Sequence, residues 1–424
     1  MKKLIAALLV VCVIFAGAIG YVTYKNHQAA QNEQPAPVQE SAAPAQTGGT
    51  EETEEPEDEA VPMRLDLDAL YASHEPDEVV ALASAEIDGA RWEREFTWDM
   101  YYYWLASYGA DVQSYIDTMA LYGMTVSWED PWSSESDQSF AEYVVEATDE
   151  TLRQIASIES FAEIYGVTLS EETLAQIEEQ KQTEREAVCG EDATDEDWEA
   201  YLRSAYITPE IYDELIRINY LYQQGYTQFY GANGELLDDE TALRYLEEND
   251  YLNANHILLL TRDMSTYEEL DENTVADKKA KAEELAAELQ AIEDTDELLA
   301  RFAELKAEFD EDTGKEAYPD GYVFTAGDMV EEFESATREL ADYQVSDPVL
   351  SFYGYHVILR LPLDVDSVLD YSSAGTPLTA KSLAANDEYA LRMDEQMEKT
   401  EFTYASGFDG VALKDYLVLA LESE

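Results

Sequence analysis

Histidine is scarce in this chain, and the scarcity limits where imidazole chemistry can occur. Only 4 of the 424 residues are histidine. His27 and His74 fall in or beside a low-complexity segment, where no packed site is expected. His256 and His356 instead each lie at the start of a short apolar run, about a hundred residues apart. Any site that uses imidazole must therefore be built from this second pair.

Basic residues are sparse relative to acidic ones. The chain has 25 Lys and Arg against 93 Asp and Glu, a formal net charge of -68. A body so negative repels nucleic-acid phosphates and anionic lipid surfaces over a Debye length of about 8 to 10 Å in physiological salt. Nucleic acid is therefore excluded as a partner. The same charge favours solubility, which suits a protein that handles other chains.

Cysteine is also rare, with 2 in the chain. Cys12 lies inside an N-terminal apolar run and Cys189 in a distant acidic stretch, so no disulfide within the chain is expected. A lipid on Cys12 is disfavoured because Val11 precedes it, where lipoprotein processing requires a small residue. The histidines stand apart from both cysteines, and the acidic run 364–366 lacks a calcium-loop pattern. No metal is expected, and without a nucleotide or flavin motif no cofactor is expected.

The N-terminus carries one long apolar run, residues 4–22. About 19 residues give a helix of about 28 Å, close to a hydrocarbon core of roughly 30 Å. Lys2 and Lys3 precede the run, and by the positive-inside tendency they keep the N-terminus in the cytoplasm while the rest of the chain is exported. Residues 1–25 are therefore predicted to be a single-pass membrane anchor. The small residues at 16–18 leave open a cleaved signal peptide and a secreted product.

Residues 26–77 are predicted to be a disordered linker rich in Pro, Ala and Glu. The segment includes the run Glu51-Glu52-Thr53-Glu54-Glu55 and offers little apolar surface to bury. A flexible coil of about 50 residues has a typical reach of roughly 40 Å. The linker would therefore hold a folded body clear of the membrane.

Residues 78–250 are predicted to form a helical, chaperone-type domain. Thr97 is placed as an N-cap, Pro209 at the first position of a helix, Gly166 at a helix end and Ser170 at the next helix start. The dense aromatics at 101–104 are interpreted mainly as core, with a groove for partner chains as the alternative. Residues 363–424 are predicted to supply further helices, at 382–397 and 413–421, that pack on this domain.

Residues 251–362 show a different, mixed pattern. Apolar runs at 254–260 and 354–361 predict buried strands, and helical periodicity recurs between them at 275–292, 297–308 and 330–340. These elements make a compact α+β domain inserted between the two helical segments. The predicted fold class of the whole chain is therefore α+β.

The motifs of this inserted region follow one another in a characteristic order. They are Asn255-His256-Ile257-Leu258, Phe309-Asp310-Glu311-Asp312, Gly327-Asp328-Met329-Val330, Val345-Ser346-Asp347-Pro348 and Tyr353-Gly354-Tyr355-His356. In order and spacing the region resembles the parvulin-type peptidyl-prolyl isomerases, over about a quarter of the chain. With its exported, helix-flanked arrangement, the whole chain also resembles the extracytoplasmic foldases of Gram-positive bacteria and the SurA-like periplasmic chaperones.

This resemblance implies a catalytic group of four residues. His256 and His356 would face each other as a hydrogen-bonded pair, Ser351 would supply a nearby hydroxyl, and Asp312 would lie close to the substrate amide. A carboxylate at 312, where the family carries cysteine or aspartate, argues against an obligatory thiol mechanism. The alternative is that the histidines are structural and Asp312 is an ordinary loop acid.

The resemblance also implies a substrate-binding wall of Phe324, Met329 and Phe333 around the proline ring. Met329 and Phe333 are placed one turn apart on a single helix, although without the motifs both would be taken as core residues. One departure from the family is the loop Tyr318-Pro319-Asp320-Gly321-Tyr322, which replaces a glycine-rich sequence. This change is expected to reshape or narrow the pocket and to weaken activity.

The sequence thus predicts a membrane-tethered extracytoplasmic foldase that isomerises X-Pro bonds in unfolded exported polypeptides. The main alternative is a non-catalytic holdase with a degenerate parvulin domain. An anchored adhesion or scaffold protein is a third possibility, which rests only on the charge and the tether. Because no basic cluster accompanies the site, recognition of phosphorylated Ser/Thr-Pro is disfavoured.

Overall fold

The structure, a computed structural model, describes residues 63–419 apart from 135, 317, 373 and 374. The predicted anchor, Cys12 and most of the predicted linker lie outside the described residues. Within them, no helix is both long enough and apolar enough to cross a bilayer. The chain divides into two compact units: unit 1 comprises Met1–Gly225 and Arg392–Glu424, and unit 2 comprises Tyr226–Leu391.

The described residues form a mixed set of helices and strands, which confirms the predicted α+β class. The helices are α1 Leu67–Tyr71, α2 Trp98–Leu121, α3 Phe140–Tyr165, α4 Glu171–Cys189, α5 Asp195–Arg203, α6 Pro209–Tyr230, α7 Asp239–Glu248, α8 Glu272–Gln290, α9 Thr295–Phe309, α10 Glu331–Glu339 and α11 Ala380–Glu398. The strands are β1 Met63–Leu65, β2 Val79–Ile87, β3 Ala90–Thr97, β4 Leu252–Leu260, β5 Tyr322–Phe324, β6 Val349–Leu350, β7 Gly354–Leu361, β8 Val368–Tyr371, β9 Pro377–Thr379, β10 Glu401–Tyr404 and β11 Leu417–Leu419.

The helix boundaries of unit 1 follow local capping chemistry. Ser139 opens α3 with a capping box, in which its hydroxyl accepts from the Glu142 N–H and the Glu142 carboxylate accepts from the Ser139 N–H. Gly166 ends α3 in the left-handed conformation with φ 62°, and Ser170 caps α4, as predicted. Between them α2 and α3 supply much of the apolar core of unit 1, including the four aromatics at 101–104, none more than 5% exposed.

Unit 1 also contains a sheet, which the mostly helical prediction for residues 78–250 did not include. Strand β2 lies between β10 and β3, and all pairings are antiparallel. Asp88 and Gly89 join β2 to β3 with positive φ at both positions, 52° and 77°. A two-residue turn of this kind matches the twist of paired strands and favours Asp-Gly. That dipeptide was the overlooked hairpin signal.

Two further predictions at the chain ends were wrong. The linker was predicted to reach residue 77, yet β1 and α1 lie within it, and α1 is anchored by the fully buried Leu70. Residues 413–421 were predicted to be helical, but their described part, 413–419, forms only a 3-10 turn, Leu413–Tyr416, followed by β11. Strand β11 pairs with β1, and this long-range pairing outweighs the local helical pattern. The predicted segment 363–424 is also divided, because residues up to 391 belong to unit 2.

Unit 2 is built on a four-stranded antiparallel sheet in the order β5–β4–β7–β6. One face, with Ile257, Leu259 and Val357, packs on buried leucines and Phe302 of α8 and α9. The opposite face carries Ala254 and Ile358, which pack with Phe324 and Phe333. The strands predicted at 254–260 and 354–361 are confirmed as β4 and β7, and the three predicted helices as α8, α9 and α10. Sheet and helices together hold the two histidines on the second face.

Candidate functional site

The two central strands of unit 2 bring His256 and His356 together. In the β4–β7 register His256 pairs with Ile358 and Leu258 with His356, so the two imidazoles are diagonal neighbours on one face. Their Nδ1 atoms are 3.3 Å apart. His256 is 6% exposed and His356 is 3% exposed. Two residues a hundred positions apart thus form one buried polar pair, as the resemblance implied.

The pair lies inside a longer chain of hydrogen bonds. The hydroxyl oxygen of Ser351 is 2.7 Å from Nε2 of His356, and Nε2 of His256 is 3.1 Å from Oδ2 of Asp312. The backbone N–H of Tyr353 donates to the Ser351 oxygen at 3.1 Å. All four residues assigned by sequence to the catalytic group therefore lie in one connected row, from Ser351 to Asp312.

Acceptor and donor rules assign the protons in this row. Asp312 as a carboxylate only accepts, so Nε2 of His256 carries a proton and its Nδ1 accepts from Nδ1–H of His356. Nε2 of His356 then accepts from the Ser351 hydroxyl. Burial, reinforced by repulsion from His256, lowers the pKa of His356 to about 3, so that ring is neutral at physiological pH. Every hydrogen bond in the row thus donates in the same direction, from the Ser351 hydroxyl toward the Asp312 carboxylate.

A short loop after α9 fixes the position of Asp312. Oδ1 of Asp310 accepts from the backbone N–H of Leu258 at 2.9 Å and from that of Asp312 at 3.1 Å. The Gly314 N–H donates to Asp312 Oδ1 at 2.9 Å. The hydrogen bond from His256, together with those from Tyr322 and Gly314, holds the pKa of Asp312 below its usual range despite partial burial. The carboxylate at the exposed end of the row is therefore charged.

Tyr322 is a member of this site that the sequence reading missed. Its hydroxyl donates to Asp312 Oδ2 at 2.5 Å, and burial, with the hydrogen bond to Asp312, raises the pKa of the phenol. Gly321 fixes the position of Tyr322. The φ of Gly321 is 103°, and its Cα passes so close to β4 that an added Cβ would lie 2.5 Å from the Ala254 carbonyl oxygen. The departure at 318–322 was the available signal, because it puts a tyrosine where the family has glycine and leucine.

The predicted proline wall is only partly accessible. Phe324 is 1% exposed and Phe333 is 2% exposed, whereas Met329 is half-buried. The Phe333 ring lies edge-on to both imidazoles, with centroids 5.3 Å from His256 and 5.5 Å from His356. These two phenylalanines thus support the histidine pair from within the core. Met329 and Tyr322 are partly buried side chains packed against this cluster, and Tyr322 also contacts Asp312.

One detail of the predicted wall was wrong. Met329 and Phe333 were placed one turn apart on a helix, but α10 begins at Glu331, with Val330 in an extended conformation as its N-cap. Gly327, at φ 89°, turns the chain just before, and its N–H donates to the Glu334 carboxylate. Residues 325–330 therefore form a loop that leads into α10. Met329 therefore approaches the site from a loop that precedes the helix.

The site is suited to non-covalent chemistry. It offers a charged carboxylate and a phenol at the surface, a fixed polar row behind them and an apolar side chain alongside. Over residues 63–419, with the four gaps noted above, no group of three or more His, Cys, Asp or Glu side chains is arranged to hold a metal ion. Because the row ends in the carboxylate of Asp312, the arrangement can act on a neutral amide electrostatically, without a thiol.

Comparison with known proteins places the site within a family domain. Residues 256–361 match the model of the rotamase family, described as the PPIC-type PPIase domain. A foldase protein PrsA from Oceanobacillus iheyensis is 29% identical over 209 residues, covering 49% of this chain and 58% of that protein. One from Halalkalibacterium halodurans is 33% identical over 189 residues, covering 43% and 49% respectively. The crystal structure of PrsA from Bacillus subtilis is 20% identical, covers 63% of this chain and 90% of that chain, and has a TM-score of 0.22.

The chain thus carries a parvulin-type domain flanked by helical segments, and the resemblance to PrsA-like foldases is confirmed. The chain spans about half the length of the curated relatives that it matches. The histidine pair, Asp312, Ser351 and the predicted wall residues all fall within the matched range.

Proposed function

We propose that this chain is a membrane-tethered extracytoplasmic foldase that isomerises X-Pro peptide bonds in unfolded exported polypeptides. The observation that carries the proposal is the row Asp312–His256–His356–Ser351, with its 3.1, 3.3 and 2.7 Å separations, inside a PPIC-type domain. Its catalytic group is Asp312, His256, His356 and Ser351. Phe324, Met329 and Phe333 form and support the surface for the proline ring.

The chemistry requires only that the site favour a twisted amide over a planar one. Resonance in the planar amide places negative charge on the carbonyl oxygen and sets a barrier of about 18 to 20 kcal/mol. Twisting withdraws that charge to the nitrogen. A fixed carboxylate beside the carbonyl, the role proposed for Asp312, repels the planar form more than the twisted one and so lowers the barrier. The buried imidazole pair keeps that carboxylate in position and ionised.

A proline-isomerisation assay on the exported chain tests the enzymatic half of the proposal. We expect catalysis by the wild-type protein and loss of it on substitution of Asp312 or Met329. The loop acid Asp320 provides a matched control, because it is exposed and adjacent in sequence but makes no bond to the row. A folded protein without rate enhancement would remove the isomerase assignment.

A non-catalytic holdase is the second candidate, and a specific observation favours it. Phe324 and Phe333 are almost completely buried by the chain's own side chains, which leaves less of the wall open than an unobstructed proline pocket requires. Suppression of aggregation of an unfolded client, measured on the same sample as isomerisation, separates the two. Suppression without isomerisation supports the holdase.

The membrane tether in this proposal rests on the apolar run at residues 4–22, preceded by Lys2 and Lys3. Cell fractionation, with N-terminal sequencing of the mature protein, tests it. An intact N-terminus in the membrane fraction supports the anchor. A new N-terminus near residues 16–18 in the medium supports secretion after cleavage.

A further inference from the structure

A cleft in unit 1 has features that the isomerase site does not use. It lies between the first turns of α3 and residues 411–414, and its volume is about 960 Å³. The half-buried side chains of Val145 and Val411 contribute an apolar wall. Since Val145 shares its helix face with Glu142, Glu146 and Asp149, this wall adjoins a row of carboxylates.

The charges around the cleft are strongly unequal. Four acidic residues line it against a single basic one, Lys414; the acids are Glu129, Glu142, Glu146 and Asp149. Glu142 is committed to the capping box of α3, and hydrogen bonds from Ser139, with a smaller contribution from Lys414, lower its pKa. The exposed Glu129 and Glu146 lie at the rim, where both can face an incoming cation, although Glu146 also accepts a hydrogen bond from the side-chain amide of Gln138.

Asp149 is a fixed anion in this cleft. Its Oδ1 accepts from the Tyr101 hydroxyl at 2.9 Å and its Oδ2 from the Tyr404 hydroxyl at 2.6 Å. A carboxylate has about four acceptor positions, so others stay open. Partial burial raises the pKa of Asp149, although the two tyrosines oppose that shift. An approaching cation stabilises a partly buried carboxylate more than a fully hydrated one.

We infer that this cleft binds basic, partly apolar segments of unfolded polypeptides, with Lys or Arg heads at Asp149 and Glu146 and aliphatic stems on Val145 and Val411. The carboxylates and the valine wall of the cleft match Lys and Arg side chains, which combine a charged head with an apolar stem. The inference rests on the proposed function only in taking unfolded chains as clients. It adds a second contact, in unit 1, that selects them by charge.

The chain's own segments outside the described residues do not suit the cleft. Residues 26–62 contain no Lys or Arg and include the run Glu51-Glu52-Thr53-Glu54-Glu55. Residues 420–424 contain Glu422 and Glu424. Like charge disfavours both as occupants. Residues 1–25, which carry Lys2, Lys3 and Lys25, are assigned to the proposed membrane anchor. The occupant is therefore a second polypeptide of opposite charge.

Fluorescence anisotropy with the full chain tests the inference. The probe is a labelled, proline-free peptide of lysine, leucine and alanine, and its match has glutamate in place of every lysine. We expect the lysine peptide to bind and to weaken at high salt, and the glutamate peptide not to bind. Glu129→Gln with Glu146→Gln should weaken binding about 3- to 10-fold, and Lys414→Gln should strengthen it by a smaller factor.

The control pair Glu191→Gln and Asp192→Asn removes the same charge from an exposed loop of unit 1 outside the cleft and should leave binding unchanged. Equal binding of both peptides, or equal weakening by the control pair, would overturn the inference. Isomerisation is measured separately on the wild-type protein. Binding without isomerisation would sink only the isomerase proposal, whereas isomerisation without binding of the lysine peptide would sink only this inference.

Discussion

The Tyr322 hydroxyl and Nε2 of His256 both contact the same oxygen of Asp312, at 2.5 and 3.1 Å. The carboxylate therefore has one neighbour from the buried row and another from the surface loop. Since both can donate, each favours the ionised form of Asp312. The loop at 318–322, which departs from the family pattern, thus contributes directly to the charge of the site.

Tyr322→Phe tests this relationship. Loss of the phenol donor should raise the pKa of Asp312, because a hydrogen bond to a charged group contributes about 1.5 to 3 kcal/mol. The acid limb of the kcat/KM profile should move to higher pH by roughly one unit. Tyr318→Phe is the matched control, since Tyr318 is 53% exposed and only stacks on Tyr322. An unshifted profile in Tyr322→Phe would remove the phenol from the proposed mechanism.

Asp312→Asn tests the need for a charge at this position. The amide oxygen can still accept from His256, so the fold should persist while the field on the substrate carbonyl is lost. We expect kcat/KM to fall by about 10- to 100-fold, the equivalent of one charge-assisted hydrogen bond. Asp320→Asn, in the same region, should retain full activity. Wild-type activity in Asp312→Asn would show that the carboxylate is structural.

Acid should destabilise the protein through His356. Its folded pKa, about 3, lies below the ordinary value of 6.5, so the unfolded state binds this proton more readily between those values. The contribution is fully present above 6.5 and is lost as pH falls toward 3. From pH 7 to 5 the loss is about 2 kcal/mol.

Two measurements check this prediction. The His356 ring resonance should not titrate between pH 7 and 5, because its pKa lies near 3. The free energy of unfolding should fall over the same interval, and less so in His356→Asn. A His356 resonance that titrates near pH 6 contradicts the buried neutral ring.

Phe333→Ala should mainly lower stability, whereas Met329→Ala should mainly lower activity. Phe333 is 2% exposed and contacts both imidazoles and Phe324, so its truncation should cost about 3 to 5 kcal/mol of stability. Met329 is only half-buried, so its truncation should cost about 1 kcal/mol while kcat/KM for a proline substrate falls. Unfolding and kinetics are measured on both variants. An active Met329→Ala protein would remove Met329 from the substrate wall.

Gly354→Ala should disrupt the site although it changes no polar side chain. An added Cβ would lie 2.2 Å from the Leu259 carbonyl oxygen, so strand β7 could not keep its register with β4. Gly327→Ala is the control, because nothing lies within 4 Å of its Cβ position and only its φ of 89° is unfavourable, at a cost of about 1 kcal/mol. Gly354→Ala should lower the free energy of unfolding more than Gly327→Ala does. Its His356 ring should also lose the lowered pKa that burial gives it. Comparable stability of the two variants would contradict the close approach.

The sequence predicted unit 2 well because its strands are long apolar runs. Strand β7 begins and ends at the predicted residues, and the helices between it and β4 shift by only a few positions. Strands β5 and β6, with three and two residues, are too short to show alternation and exist only through pairing with β4 and β7. Tyr322 lies on such a short strand, which is why its role was not foreseen.

In unit 1 the misread elements depend on partners distant in sequence. Strand β2 is rich in alanine and buried along most of its length, a pattern that does not distinguish a central strand from a buried helix. Its partner β10 lies about three hundred residues later. The short Asp88-Gly89 turn was the one local clue to a hairpin. Periodicity cannot reveal pairing across such distances, so the helical prediction failed there and over residues 413–419.

The pairing of β1 with β11 and of β2 with β10 has a consequence for biogenesis. Unit 2 is a single uninterrupted stretch of chain, so it can acquire its structure as soon as residue 391 has left the ribosome. Unit 1 must wait for the last residues to arrive before its sheets can close. During synthesis unit 2 would therefore fold first, and truncations near the C-terminus would damage unit 1 while sparing unit 2.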